Sequence, residues 1–176
     1  MTTRALSSNA GFSMIEVIMT IAIVAILAGL ATPSFTEVTQ KFRGLGEANA
    51  LARDLRFART EAIKQGLSAQ LCVSTDGATC STSTNWQLGW IVLNLNLDGT
   101  PGTVLKTQRG FSSADTLVSN PAVAAITFNR EGFTTGTADL LFSTTVNPGN
   151  RVVQCVSLSR TGRQAVSSPA TGGGAC

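Results

Sequence analysis

The sequence predicts an α+β protein in which one long N-terminal helix, with a transmembrane first half, packs against a β-rich antiparallel globular head. Three observations lead to this prediction: an apolar run over Phe12–Ala31, an apolar helical stripe behind it, and short β-type runs from Leu67 onward. A chain of 176 residues suffices for one domain with a core and is too short for two. The expected segments are a leader over 1–11, a helix over 12–65 with its membrane or filament-core part over 12–35, and a head over 66–176.

Composition narrows the class of protein. Hydrophobic residues make up 43% of the chain, charged residues only 13%, and the mean hydropathy is +0.22. These values exclude intrinsic disorder and favour a membrane segment. The net charge of +3 is too small to indicate a nucleic-acid partner by itself. Histidine, the commonest catalytic base and metal ligand, is absent, so an ordinary cytosolic enzyme is disfavoured.

The apolar run has the length of a membrane span. As a helix, its 20 residues measure about 30 Å, the thickness of a bilayer core. The leader before it carries one cation, Arg4, and no anion, so we expect the leader to stay cytoplasmic and the head to emerge on the far side. The alternative, which stays open, is a secretory signal peptide cut near Ala28 or Ala31.

Glu16 is the one charged residue within the run. An acidic side chain in a membrane helix costs about 2.5–3.5 kcal/mol, so it is normally retained for a function. The alternative interpretation is that Glu16 only reaches back to the membrane interface near the helix end. The first interpretation argues against a signal peptide that is discarded after cleavage.

Beyond Pro33 the apolar residues follow a helical period. The stripe consists of Leu51, Leu55, Ala58 and Ala62. Pro33 lacks a backbone donor, and Gly44 and Gly46 are further weak points of a helix. We predict one helix over 13–65 that is kinked near Pro33, ends at Gly66 and packs its stripe against the head.

From Leu67 onward, runs rich in Val, Ile, Leu, Phe and Thr alternate with Asp-Gly, Pro-Gly and Thr-Gly turn signals. An antiparallel sheet of such strands needs one covered face, which the end of the long helix supplies. Surface loops are predicted over 79–84 and 112–119. The predicted strands are Ser68–Ser74, Leu88–Leu97, Val104–Arg109, Ala124–Asn129, Asp139–Ser143, Val152–Leu158 and Arg163–Ser167.

The four cysteines predict disulfides if the head lies in an oxidising compartment. Their spacings do not suit a zinc knuckle, and no histidine is present to complete one. The sequential pairing is favoured, because Cys72–Cys80 closes a short loop and Cys155–Cys176 fastens the C-terminal tail. The other two connectivities stay open at this point.

Around the start of the run, Gly11-Phe12-Ser13-Met14-Ile15-Glu16 resembles the signal of type IV pilins and type II secretion pseudopilins. The resemblance implies the type IV pilin fold. It also implies that a prepilin peptidase cuts between Gly11 and Phe12, that Phe12 is methylated on its new amino group, and that Glu16 docks the subunit into a filament. Met14 stands where that family usually has leucine.

Parts of the head resemble the GspH/FimT/FimU group of minor pilins. They include Leu71-Cys72-Val73-Ser74, Trp86-Gln87-Leu88-Gly89-Trp90, Ile126-Thr127-Phe128-Asn129-Arg130 and Thr161-Gly162-Arg163. The group implies a minor pilin of the bacterial inner membrane, with one membrane pass and a periplasmic head, that primes or caps a type IV pilus on the cell surface. The implied partners are other minor pilins, the major pilin and the prepilin peptidase. A pseudopilin of a type II secretion system is the alternative.

No constellation of residues predicts catalysis, a cofactor or a metal site. Without histidine no serine has an evident activating base, and the carboxylates are scattered. The run Asn94-Leu95-Asn96-Leu97-Asp98-Gly99 imitates the first half of a calcium-binding loop, but Leu105 stands where a bidentate glutamate is needed. We therefore predict a hairpin there, and no enzymatic activity.

The remaining candidate site is a basic one for DNA. Arg160 and Arg163 flank a predicted Thr-Gly turn, and two guanidiniums placed together can hold phosphates without reading sequence. Some FimT-type pilins, which this chain resembles, bind DNA through a C-terminal G-R-x-R motif. Here the motif reads Gly162-Arg163-Gln164-Ala165, without the second arginine. Lys106 and Arg109 are predicted to widen the patch, and a solvated surface pair is the alternative.

Overall fold

A computed structural model of the chain describes residues 11–111, 114–136, 139–146, 151–169 and 176, except for the side chains of 30–37 and 151–153. The chain divides between Thr39 and Gln40 into two compact units, each described by itself. One helix, α1 (Met14–Gln65), contributes to both units and agrees with the predicted bounds within one residue. The kink at Pro33 stays a prediction.

The N-terminal unit consists of the first part of α1. Residues 14–28 contain neither glycine nor proline, so nothing interrupts the backbone hydrogen bonds of the helix. Glu16 in the first turn and Lys64 in the last turn complement the helix dipole. The helix ends where predicted, because Gly66 takes a φ of +65°, which terminates a helix without Cβ strain.

The C-terminal unit joins the second part of α1 to two antiparallel sheets, both within the described residues. One sheet has the order β3-β2-β1-β5-β6 and the other the order β4-β7-β8-β9. The strands are β1 (Ala69–Val73), β2 (Gly89–Leu95), β3 (Pro101–Arg109), β4 (Thr116–Asn120), β5 (Ala125–Phe128), β6 (Thr134–Thr135), β7 (Leu140–Val146), β8 (Arg151–Leu158) and β9 (Gln164–Ser167).

The core of this unit is formed by the α1 stripe and the inward faces of both sheets. The predicted stripe is confirmed, since each of its four residues is at most 1% exposed. Its alanines let the helix approach the strands closely, and large rings fill the space beside them. Trp86 packs edge to face on Phe142, with ring centroids 5.4 Å apart. Both tryptophans of the sequence, Trp86 and Trp90, are fully buried.

The seven predicted strands are all present, with bounds shifted by up to three residues, but two further strands were not predicted. β4 overlaps the loop predicted over 112–119, and this prediction was wrong for its second half. Leu117 and Ser119 of β4 point inward while Val118 is exposed, which is the alternation of a strand. The Ser/Thr-rich composition concealed it, because only one large apolar residue per face was visible. β6 has two residues, too few for a period.

Candidate functional site

The start of α1 presents the predicted processing site in an open segment. Gly11 and Phe12 precede the helix, and Phe12 is 82% exposed. A Cβ placed on Gly11 would meet no atom within 4 Å. The carbonyl oxygen of Ser13 accepts the amides of Glu16 and Val17 at 3.0 and 3.2 Å, which begins the helix. The bond between Gly11 and Phe12 therefore lies outside the helix, where a peptidase has access to it.

The first part of α1 exposes large apolar side chains all around its axis. Met14, Ile18, Ile23 and Ile26 are 84%, 62%, 57% and 65% exposed. A helix that is apolar on every side belongs in a membrane or among other helices. Among the residues whose side chains are described, no helical segment combines the length and hydropathy needed to cross a bilayer. The span over 12–31 stays a prediction.

Two disulfides occur in the described part of the chain, and they correspond to the sequential pairing. Cys72 of β1 is bonded to Cys80 in the loop that follows, with Cα atoms 5.5 Å apart. Cys155 of β8 is bonded to Cys176, with Cα atoms 5.6 Å apart. Each closes a loop and stabilises the head by about 2–4 kcal/mol. Cys176 is thereby fixed to β8.

Lys106, predicted to widen a basic patch, has another role. Its ammonium forms an ion pair with Asp54 of α1, a side chain only 1% exposed. Asp54 also accepts the indole N–H of Trp90 at 2.9 Å, and the ammonium lies 5.5 Å from the centre of the Phe57 ring. The network fastens α1 to the first sheet, so Lys106 is not free to meet phosphates.

Arg109 also belongs to the first sheet rather than to the predicted patch. It lies at the end of β3 and lines a cavity of about 400 Å³ together with the loop that contains Asp76. The Asp76 carboxylate accepts the Thr79 hydroxyl at 2.6 Å and the Thr79 and Ala78 amides at 2.9 Å. These hydrogen bonds hold the pKa of Asp76 well below its ordinary value. Arg109 therefore shares this cavity with a firmly ionised carboxylate, which disfavours an anionic ligand there.

Arg160 and Arg163 lie on the β8–β9 turn, as predicted, and this turn has a counterpart between β5 and β6. In the turns over 129–133 and 159–163 the glycine amide donates to the carbonyl of the first residue, at 2.8 and 2.9 Å. The first residue's amide donates to the last carbonyl, at 2.9 Å in both. Gly132 and Gly162 have φ of +81° and +73°, which requires glycine at these positions.

The two turns stack on each other and on α1. The amide and hydroxyl of Thr134 donate to the carbonyl of Arg160 at 3.0 and 3.2 Å. The Nε of Arg59 donates to the carbonyl of Gly132 at 3.1 Å. A Cβ on Gly162 would lie 2.3 Å from that carbonyl and 2.9 Å from the Arg59 Nε. The stacking joins two arginine-bearing turns to a third arginine on the helix.

We name this region the arginine surface, formed by Arg59, Arg130, Arg160 and Arg163. Arg130 is paired with Glu131 at 3.5 Å, and both are exposed. Among the described residues the other three guanidiniums have no carboxylate partner within 4.0 Å. Sequence reasoning missed Arg59 and Arg130. For Arg130, the sequence signal that could have found it is the Arg-x-Gly pattern shared by the two turns, Arg130-Glu131-Gly132 and Arg160-Thr161-Gly162. Arg59 does not carry this pattern.

A groove borders this surface on the second sheet. Its volume is about 600 Å³, and Arg163 and Asp139 line it together with Leu141 and Ala165. Asp139 accepts the backbone amide of Arg160 at 3.0 Å. The carboxylate therefore helps to hold the turn in place.

The calcium-like run forms a hairpin between β2 and β3, which confirms that prediction. Asp98 accepts the amide and hydroxyl of Thr100 at 2.9 and 2.6 Å, and these hydrogen bonds lower the pKa of its carboxyl. The amide of Asn96 donates to the carbonyl of Thr100 at 2.9 Å. Asp98 thus has partners within its own turn. The described residues contain no group of three or more Asp, Glu or Cys side chains that could hold a metal ion.

Two family profiles match the chain. The profile described as "Type II transport protein GspH" matches residues 47–162, and the "Prokaryotic N-terminal methylation motif" matches residues 6–32. The first covers most of the head. The second covers the predicted cleavage site, the apolar run and Glu16. Among curated proteins, no sequence matches this chain.

Similar solved structures include the type IV minor pilin FimU of Pseudomonas aeruginosa in two crystal forms. One matches with a TM-score of 0.58 and 22% identity over 77% of this chain and 97% of FimU. The other has a TM-score of 0.57 and 21% identity over 72% and 97%. The minor pseudopilin EpsH from the type 2 secretion system of Vibrio cholerae matches with a TM-score of 0.49 and 15% identity over 70% and 95%. The FimU structures confirm the predicted fold class.

Proposed function

The chain belongs to the GspH family of type II transport proteins, and from this premise we propose that it is a minor pilin of the bacterial inner membrane that helps to start or cap a type IV pilus. Subunits of this family are structural and assemble with other pilins in a pilus or pseudopilus. The N-terminal methylation motif marks a membrane-anchored pilin. In the proposed location the subunit first crosses the inner membrane once, with its head in the periplasm. It then becomes part of the pilus on the cell surface.

The proposed mechanism begins at the bond between Gly11 and Phe12. A prepilin peptidase removes 11 of the 176 residues, which leaves 165, and methylates the new amino group of Phe12. Glu16 then lies one helical turn from that amino group. In a low-dielectric bundle of helices, its carboxylate meets the amino group of a neighbouring subunit, and this ion pair sets the axial register of the two helices.

One observation carries this proposal. Glu16 is the only charged residue in a helix segment whose apolar side chains are exposed on every side. Water does not stabilise such a surface, and packing between apolar helices does not fix their axial register. A single ion pair supplies that register, so the arrangement suits a helix that is inserted among similar helices. The partners that follow are other minor pilins and the major pilin.

The proposal is tested in a strain that lacks this chain. We expect the amount of sheared surface fibres to fall, with twitching motility, while type II protein secretion continues. Reintroducing the wild-type chain restores the fibres, and a chain without residues 12–31 does not. Normal fibres together with lost secretion would instead assign the chain to the pseudopilus of a type II secretion system, the alternative function.

DNA binding at the arginine surface is a second candidate function. The observation that favours it is that Arg59, Arg160 and Arg163 have no carboxylate partner among the described residues. Such guanidiniums can hold phosphates in a salt-dependent and sequence-blind way. The predicted contributors Lys106 and Arg109 are not part of this proposal, because Lys106 is paired with Asp54 and Arg109 shares a cavity with the ionised Asp76.

The test titrates the full chain in detergent with duplex DNA at two salt concentrations. If the arginine surface binds DNA, the wild type forms a complex at low salt, and this complex weakens at high salt. The double variant Arg160→Ala/Arg163→Ala forms no such complex. Arg109→Ala is the matched control and should bind as the wild type does. No complex at low salt would end this candidate function.

A further inference from the structure

Two buried acidic side chains and one partly exposed arginine form a cluster in the C-terminal unit. Arg43 and Glu47 lie one turn apart on α1, and Asp115 lies just before β4. Arg43 holds the Asp115 carboxylate with two hydrogen bonds, from Nε to Oδ2 and from Nη2 to Oδ1, the latter at 2.9 Å. The Asp115 side chain is 0% exposed. The ion pair therefore fastens the chain segment that enters β4 to the helix.

Glu47 lies in the same environment, and among the described residues no cation forms an ion pair with it. It is 9% exposed, and its Oε2 is buried with no hydrogen-bond partner among the described residues. The charged groups that act on it are Asp115, facing it from the β4 side, and Arg43 on its own helix. Burial, followed by the Asp115 carboxylate, raises the pKa of Glu47 to about 8, and Arg43 lowers it by less.

The protonation state of Glu47 decides whether the positive and negative charges of the cluster are equal in number. With a proton on Glu47, one guanidinium faces one carboxylate, and the neutral carboxyl can donate to Asp115. Without that proton, two neighbouring carboxylates share one guanidinium in a place with little water. Such an arrangement is relieved by exposing one carboxylate to solvent, because an unpaired buried charge is costly.

We propose that Arg43, Glu47 and Asp115 form a proton-dependent latch, which holds the segment over 114–120 against α1 while Glu47 is protonated and releases it when Glu47 ionises. The latch lies wholly within the C-terminal unit. It does not depend on whether the chain builds a pilus or a pseudopilus.

The linkage between protons and opening sets the size of the effect. In the released state Glu47 meets water and takes its ordinary pKa of 4.5, against about 8 in the closed state. The closed state therefore binds the proton more tightly, and rising pH favours release. The ratio of open to closed latch rises by up to about tenfold per pH unit between these two values and levels off above the higher one.

Hydrogen exchange of the full chain in detergent, followed by mass spectrometry between pH 6 and 9, tests the latch. The compared quantity is the protection factor of peptides covering 114–120, which is the intrinsic exchange rate at each pH divided by the observed rate. The dependence of the intrinsic rate on pH is thereby removed. In the wild type, protection falls by up to about tenfold from pH 6 to 7 and by up to about fivefold from pH 7 to 8, and it then levels off. In Glu47→Gln, which stays neutral, protection is the same across the range.

Glu61→Gln is the matched control, because Glu61 lies on the same helix and its hydrogen bond with Gln65 lowers the pKa of its carboxyl. It stays ionised over this range, so its variant follows the wild type. If Glu47→Gln follows the wild type as well, or if wild-type protection does not change with pH, the latch is wrong. Should Glu47→Gln lack the native circular dichroism spectrum, Asp115→Asn replaces it; Arg43 then pairs with Glu47, and the same loss of pH dependence is expected.

Discussion

At the scale of single residues, the carboxylates of Glu16 and Asp54 differ in where their partners lie. Among the described residues no cation forms an ion pair with Glu16, and the proposed function gives it a partner on another subunit. Asp54 has three partners in its own chain, Trp90, Lys106 and, at 4.0 Å, the exposed Arg53, and its role is internal. The same residue type is thus proposed to serve assembly in the first turn of α1, and it joins helix to sheet in the second part of α1.

Replacing Glu16 tests its role in assembly. Glu16→Gln keeps the shape of the side chain but removes the charge, so we expect incorporation into sheared fibres to fall by at least about tenfold, which corresponds to about 1.4 kcal/mol. The amount in the membrane fraction should not change, because a neutral residue is easier to insert. Quantitative immunoblots of both fractions give the ratio, with Glu61→Gln as control. Equal incorporation of both variants would remove Glu16 from the docking mechanism.

Replacing Asp54 tests its internal role. Asp54→Ala leaves the Lys106 ammonium and the Trp90 N–H without their partner, so we expect a loss of about 3 kcal/mol in the free energy of unfolding. Chemical denaturation of the full chain in detergent measures it. Arg53→Ala removes only the most exposed and most distant of these partners, a guanidinium 4.0 Å from Asp54, and should change stability by less than about 0.5 kcal/mol. A loss of similar size in both variants would contradict the network.

At the scale of elements, the two arginine-bearing turns act as one unit. Each turn alone is an ordinary hairpin reversal with glycine at a positive φ. Stacking brings Gly162 against the carbonyl of Gly132 and the side chain of Arg59. The Gly132 carbonyl oxygen therefore occupies the space that a Cβ on residue 162 would need. This close approach fixes the arrangement of the arginine surface on the helix.

Gly162→Ala separates this packing from backbone strain. Its Cβ would lie 2.3 Å from a backbone oxygen at a φ of +73°, so we expect a loss of about 2–3 kcal/mol in stability. Gly99→Ala is the control, because φ is +83° but no atom lies within 4 Å, and about 1 kcal/mol is expected. Thermal unfolding compares the two. Equal losses would mean that the turns do not pack as described.

The sequence predicted the helix and the strands that are long enough to show a regular spacing of apolar residues. The stripe of α1 and the long strands have enough apolar residues to show a period of 3.6 or 2. β4 has one buried apolar residue, Leu117, and β6 has none, so neither stands out from a Ser/Thr-rich loop. At the candidate sites, local motifs located the Gly11–Phe12 bond and the β8–β9 turn. Contacts between distant segments, such as Lys106 with Asp54 or Arg59 with Gly132, have no local signal.

At the scale of the whole molecule, the two units carry different chemistry. Among its described side chains, the N-terminal unit exposes large apolar groups and one carboxylate, that of Glu16. The C-terminal unit has a closed core, and two disulfides join its strands to neighbouring segments. The first is suited to contacts with lipid and other helices, and the second to a periplasmic environment. The proposed function requires the apolar helix to be kept after export.

Mass spectrometry of the mature protein, extracted from membranes and from fibres, tests this claim most directly. The account predicts a chain that begins at Phe12, carries a methyl group on that amino terminus, retains the whole apolar helix and contains two disulfides. A mature chain that begins beyond Ala31 would contradict the account, because the helix proposed to join the filament would have been removed.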